Sequence, residues 1–301
     1  MITATNNPEL SPTRANRTGS AAWRIMRRHP TGAVGLVITI LILLFILSAG
    51  LLTPHKYDRT LSGKAAPMMS RGFDDELLVL GGDELGRDIL TRLQHAGRTS
   101  FVIGLAAPLL GVTLGTIIGI VSAYRGGIVD LLVQRVVDVL ISLPGLVLAM
   151  AVTLALGFSV WGVIIALSLN VVGGSSRVVR SHALTQSQLE YVQAARALGA
   201  SDLRIIFRHL LPNSMAVSLV LFTVGVGAAI TAEAGLSFLG LGVQPPTPSW
   251  GNMLTFAQQY FRFGAHIAVI PGLTIAIVVF AINLVGDSLR DILDPHLRGR
   301  G

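Results

Sequence analysis

The chain has 301 residues, of which 51% are hydrophobic and only 13% charged, with a mean hydropathy of +0.66, which excludes an ordinary soluble domain. The absence of cysteine excludes disulfide frameworks, thiolate nucleophiles, zinc fingers and iron–sulfur ligation. The net charge of +7 comes from 23 Lys and Arg against 16 acids; in so apolar a chain it reads as anchoring at a membrane face, and no aromatic-interleaved basic stripe points to nucleic acid.

Residues 1–30 read as a polar tail carrying Arg14, Arg17, Arg24, Arg27 and Arg28. Residues 31–53 contain no Asp, Glu, Lys or Arg, enough for one crossing of a hydrocarbon core that takes about 20 residues. This run is longer than the apolar part of a cleaved leader, so it predicts a retained helix. An extracytoplasmic loop completes the 31–98 segment and ends in DELGRDILTRLQHAGR. There Leu85, Ile89, Leu90 and Leu93 fall on one helical face and Arg87, Asp88 and Arg92 on another, predicting a helix along the interface with its charges in water.

Further charge-free runs occupy 99–124, 139–176, 210–232 and 267–286. The run of 139–176 far exceeds one crossing at 1.5 Å per residue, so it must fold back, with Gly157, Phe158 and Ser159 as the turn. The expectation is an all-α polytopic membrane protein with six transmembrane helices, five of them in a core over 99–288, and a tail at 289–301. An even count places both termini on one side, and the larger share of Lys and Arg on that side makes it the cytoplasm.

Polar residues inside spans are functional candidates by default. Asn170 serves either as a translocation-pathway residue or as glue between helices, and Glu233 either meets an incoming amino group or is satisfied at the interface. Gly104, Gly111, Gly115 and Gly119 predict close helix packing, within the bundle or against a second subunit. Asp130 and Asp138 flank Arg135 at a spacing that suggests local pairing on a helix surface. Pro245, Pro246 and Pro248 preclude a regular helix before Trp250, which predicts a lid or cap; Pro245, Pro246 and Trp250 are its candidate contacts with a substrate-delivery protein.

Enzyme signatures are missing. The Gly63-Lys64 pair precedes Ala65 and makes no phosphate-binding loop. No His-Glu-x-x-His and no close histidine cluster suggests a metal site, and no Gly-x-Ser-x-Gly elbow is present.

The most informative stretch is EYVQAARALGASDLRIIFRHLLPN, residues 190–213. It reads as two short helices hinged at Gly199, where a left-handed residue costs least. Val192, Ala195 and Leu198 line the first helix; Leu203, Ile206, Phe207 and Leu210 form the apolar face of the second, with Arg204 and Arg208 beside it. Ser201 offers a cap, Asp202 suits the positive N-terminal end, and Pro212 stops the helix or begins the next span. On the residues alone, packing on the membrane surface is the first reading.

The string QAARALG, followed thirteen residues after its Gly by LP, resembles the EAA signature of bacterial ABC-importer permeases. DELGRDILTRL, EAGLSFLGLGVQPPTPSWGNML and GDSLRDILDP, with RRHPTGAVGLVI near the start, resemble the C-type permease subunit of the dipeptide/oligopeptide/nickel family over nearly the whole chain. The resemblance implies a type I ABC importer permease fold and a non-catalytic subunit that forms half of a translocation pathway for peptides. Residues 190–212 would then be the coupling helix, with Gln193, Ala194, Ala195, Gly199, Ala200, Asp202, Arg204 and Pro212 facing an ATPase; Gln193 stands where the family carries Glu.

The implied partners are a second permease subunit, two ATP-binding subunits, an extracytoplasmic substrate-binding protein and the lipid bilayer, with no nucleic acid. No cofactor is bound by this chain itself, ATP and Mg belonging to the partner ATPase, and the implied location is the bacterial inner membrane. The competing class is a secondary transporter or channel without an ATPase, which needs ionisable relays in its spans. Here the spans are almost free of them.

Overall fold

The computed structural model describes residues 30–53, 55–255, 257–262 and 264–293. The basic tail before Pro30 and the residues after 293, including Arg298 and Arg300, lie outside the described residues.

Helix α1, Pro30–Leu47, is apolar on all sides. Its glycines make a close contact with the last helix: a Cβ on Gly35 would stand 2.6 Å from the carbonyl oxygen of Ala281. Val34, Val37, Leu41 and Leu44 stay exposed, as side chains facing lipid tails do, because hydrocarbon solvates them. After α1 the chain forms a compact loop whose only paired strands among the described residues are β1, Ser70–Arg71, and β2, Leu77–Leu78, antiparallel.

Helix α2, Ile89–Arg125, is 37 residues long and begins ten residues before the charge-free run. Asp88 sets that start, accepting hydrogen bonds from the backbone N–H of Leu90 and Thr91. Residues 83–88 therefore form no interfacial helix, and their charges do not face water. Asp83, Glu84, Arg87 and Arg92 are all buried. Arg87 Nε meets Asp83 at 2.7 Å and its Nη2 meets Glu84 at 2.6 Å, while Arg92 pairs with Asp83 at 3.2 Å. Burial of ions is tolerated when every charge finds an opposite partner.

Helices α3, Gly127–Ser142, and α4, Gly145–Leu156, meet at a bend of 96°. Leu143 is extended at φ −87°, ψ 137°, the conformation imposed on a residue preceding proline, and Pro144 has no N–H to continue the helix. Thus 139–156 is no single straight crossing. The fold-back itself falls at 157–159: Gly157 has φ +92°, and Ser159 caps Gly162 to open α5, Val160–Ser187. Among the described residues, five long helices and the bent pair give up to six spans.

Two short helices, α6, Glu190–Ala197, and α7, Asp202–Ile205, follow α5. A π turn at Ile206–Leu210 joins α7 to α8, Leu211–Phe238, without interruption. Pro212 ends nothing; it sits in the first turn of α8, where its missing N–H costs least, and the wider turn before it admits its ring. The last helix, α9, His266–Leu293, runs five residues past the expected boundary at 288.

The bundle is held by backbone approach along α2. A Cβ at Gly111 would lie 2.7 Å from Ser168 O, at Gly115 2.9 Å from Ser176 N, and at Gly119 2.6 Å from Ser176 O. Gly104 meets Ile230 of α8 instead. The glycine seam therefore joins helices of the same chain, by the close contact that small residues allow in membranes.

Candidate functional site

The α6–α7 segment forms a knob at one end of the bundle. Helix α6 closes by the two bonds of a Schellman turn: Gly199 N–H donates to Arg196 O and Ala200 N–H to Ala195 O, each at 3.0 Å. Gly199 holds φ +79° with open space where a Cβ would be. Glycine is thus required by backbone conformation, not by any close approach within this chain. Ser201 precedes α7 but makes no side-chain cap bond.

The knob's inner side differs from the expected one. Val192, Ile205 and Leu210 are fully buried, packed with Ile120 and Ala123 of α2 and Val179 and Ala183 of α5. Leu198 is 88% exposed, Leu203 67% and Phe207 63%. The residues read from periodicity as one apolar face thus divide between a covered and an uncovered side. Gln193, Ala194, Gly199, Asp202, Arg204 and Pro212 are exposed, Ala195 and Ala200 half-buried. Six of the eight expected coupling residues are therefore exposed, together with three uncovered apolar side chains.

Two polar links that sequence reasoning missed tie this knob to the spans. Tyr124, one residue before the end of α2, donates from its hydroxyl to Asp202 at 2.8 Å, and the Arg196 guanidinium lies 5.4 Å from the centre of its ring. Asn213 of α8 donates to the Tyr191 hydroxyl and to His209 O. Tyr124 carried no signal beyond its place at the edge of an apolar run, since its partners are over 70 residues away.

The other candidates do not gather with the knob. Asn170 Nδ2 donates to Gly145 O at 2.8 Å, holding α5 to the first residue of α4, which is the role of glue between helices. Glu233 is fully buried and accepts hydrogen bonds from Ser100 at 3.2 Å and Ser237 at 2.7 Å. It presents no surface to an incoming amino group in this conformation.

Trp250 corrects the cap expectation as well. Its side chain is entirely buried, its Nε1 donates to Leu93 O at 3.0 Å, and its ring meets Phe101 edge-on at 5.7 Å. Ser100 joins the two features, donating to Glu233 while accepting from Trp250 N. The 239–255 segment is non-helical apart from a short turn, as its prolines require, but Trp250 is the peg that fastens it. Only Pro245 and Pro246 of the three cap candidates are exposed.

In the loop before α2, burial pushes the Glu84 carboxyl above its ordinary range, helped by the neighbouring Asp83 charge, against a smaller opposing pull from Arg87.

Residues 111–299 match the family described as binding-protein-dependent transport system inner membrane component. Residues 19–68 match the N-terminal TM domain of oligopeptide transport permease C. Among curated relatives, the glutathione transport system permease protein GsiD of Pectobacterium atrosepticum is 38% identical over 283 residues, 92% of this chain and 90% of the relative. The protein of that name from Escherichia coli O6:K15:H31 is 36% identical over 298 residues, 97% and 95% of the two chains. Among solved structures, the MetNI methionine ABC transporter in inward-facing conformations aligns with a TM-score of 0.56 at 17% identity, over 67% of this chain and 96% of that one. That likeness shows a shared type I importer permease fold. The chain therefore belongs to the binding-protein-dependent ABC-importer permeases of the peptide/oligopeptide family, as a non-catalytic, multi-pass subunit of the bacterial inner membrane.

Proposed function

We propose that this chain forms one half of the translocation pathway of an ATP-driven importer for small peptides, with the α6–α7 knob seated in a groove of an ATP-binding subunit. The observation that carries this reading is the outward surface of Leu198, Leu203 and Phe207 beside Gly199. Three uncovered apolar side chains on a rigid, polar-flanked knob suit the centre of a protein interface, where burial rewards them. The knob and both termini lie on the cytoplasmic side in this reading, because nucleotide is there. ATP and Mg are held by the partner, and this chain converts partner closure into helix motion.

The family relationship supports a sister permease, two ATP-binding subunits and an external substrate-binding protein as partners. Two relatives are named for glutathione transport; a small peptide is the substrate class that fits both that name and the oligopeptide match. Switching between outward-facing and inward-facing states requires the partners to bind those states differently.

The test is co-expression with the sister permease and ATPases followed by purification through this chain. Gly199→Asp and Leu203→Asp should each lose the ATPases and uptake while still inserting in the membrane. Recovery of both ATPases and normal uptake with Leu203→Asp would overturn the docking assignment.

A further inference from the structure

Helix α3 has its polarity reversed relative to a helix on a soluble protein. Ile128, Leu132, Val136 and Val139 lie on one face and are all exposed, whereas Asp130, Gln134 and Asp138 recur every fourth residue on the face turned toward α5 and are half-buried. Facing them on α5 are Arg180 and Arg177. Arg180 Nε donates to Asp130 at 2.6 Å, Arg177 pairs with Asp138, and Arg135 reaches the same Asp138 at 3.5 Å. Between the two helices lies a cavity of about 560 Å³ lined by these groups.

Apolar outside and charged inside is the arrangement of a helix whose inner face meets water within a membrane protein, since ionisable groups at a bilayer turn to an aqueous cavity or to each other. The bent α3–α4 pair is apolar enough overall to count as one span. The cavity opens at the same end of the bundle as the knob, and the last turn of α2 serves both. Gln134 donates to Ser122 at 3.0 Å and Ser122 bonds Asp130, while Tyr124, two residues on, bonds Asp202 of the knob.

We infer that the cavity between α3 and α5 is an aqueous vestibule of the translocation pathway, lined with both Asp and Arg so that a solute carrying both signs of charge passes without rejection. The inference rests on the transport reading above and deepens it by placing the passage at named residues. The lining holds two acids, Asp130 and Asp138, and three bases, Arg135, Arg177 and Arg180, and each group can exchange its intrachain partner for a charge of opposite sign on the solute. Because the knob and the vestibule wall share the end of α2, displacement of one moves the other.

The lack of cysteine makes the natural chain a ready background for accessibility mapping. Single variants Gln134→Cys, Leu131→Cys, Val136→Cys and Ile128→Cys would be introduced into the full complex with sister permease and ATPases. Each would be treated in inside-out membrane vesicles with charged, membrane-impermeant thiosulfonate reagents of either sign. Gln134→Cys and Leu131→Cys should react about tenfold faster than Val136→Cys and Ile128→Cys, because a thiol must ionise in water to react. With one more Arg than Asp in the lining, anionic reagents should label Gln134→Cys modestly faster than cationic ones, and adding Arg180→Gln or Arg177→Gln should tilt the ratio severalfold toward the cation.

Equal, slow labelling of all four positions in every nucleotide state would overturn the vestibule, as would a ratio unmoved by either Arg variant. A separate variant, Leu203→Cys, reports on the knob. If assembly with the ATPases fails to shield it while Gln134→Cys still labels as expected, the docking reading has failed and the vestibule stands.

Discussion

Two sites at opposite ends of α2, the cluster around Asp83 and Trp250 and the knob, treat apolar and charged side chains in opposite ways. At the loop end, Asp83, Glu84, Arg87 and Arg92 are buried in mutual pairs and Trp250 is wholly enclosed. At the knob end, Leu198, Leu203 and Phe207 stand uncovered, and cations such as Arg204 and Arg208 are exposed. A region that completes its own contacts specifies a shape, and a region that leaves apolar surface open specifies a partner. The buried cluster and Trp250 are accordingly architecture, and the docking proposed above makes the knob a place of assembly; α2 begins beside the one and ends at the other.

That contrast can be broken most severely at Arg87. Arg87→Ala should cost about 3 to 5 kcal/mol, because it leaves Asp83 and Glu84 buried without their nearest cation. Thermal unfolding of the purified complex in detergent should fall steeply; an unchanged transition would mean that the cluster is hydrated and its pairing immaterial.

Gly199→Ala sharpens the comparison, since it adds a methyl group into open space. Its cost should be about 1 to 2 kcal/mol from the left-handed backbone alone, confined to the knob. Stability of the spans should hold while ATPase recovery drops, which size-exclusion chromatography of the complex would read.

Tyr124→Phe should have a smaller effect, removing one bond to Asp202 at an exposed site, worth about 0.5 to 1.5 kcal/mol. The expected signature is slower uptake with a normal complement of ATPases. A loss of ATPase instead would show that Tyr124 shapes the docking surface rather than transmitting its motion.

The smallest effect concerns pH. Burial and Asp83 raise the Glu84 carboxyl above its ordinary value, so the folded loop binds that proton more tightly than the unfolded chain does. The associated stabilisation is complete below the ordinary Glu value of 4.5 and is lost as pH rises through the higher folded value. Glu84→Gln should flatten the part of the stability–pH curve that lies above the ordinary Glu value of 4.5. A variant curve parallel to the wild-type one would assign the dependence to other groups.

Reading the chain in one dimension located the spans well, because the hydrocarbon core makes a demand on composition that any uncharged run of sufficient length meets. It also located the hinge at Gly199, a short-range backbone requirement, and the glycine seam, because small residues repeated on one helical face mark a close approach whichever helix they meet. It went astray where the answer depended on what lies opposite. The spacing of Leu203, Ile206, Phe207 and Leu210 identifies a helix, yet which side of that helix is covered depends on how α6 and α7 sit against Ile120 and Val179.

The same holds for charge. Asp130 and Arg135 looked like neighbours on a surface, but Asp130 belongs to Arg180, fifty residues away, and the charges of DELGRD look identical in a chain whether they end in water or inside a protein. Sequence alone determined the number and placement of apolar runs, the hinge and the family, since each rests on local composition or motif. The tertiary structure alone decided which apolar residues remain uncovered, that Trp250 and Glu233 are internal fasteners, and that the charges of α3 face inward, because burial and pairing are relations between segments distant along the chain.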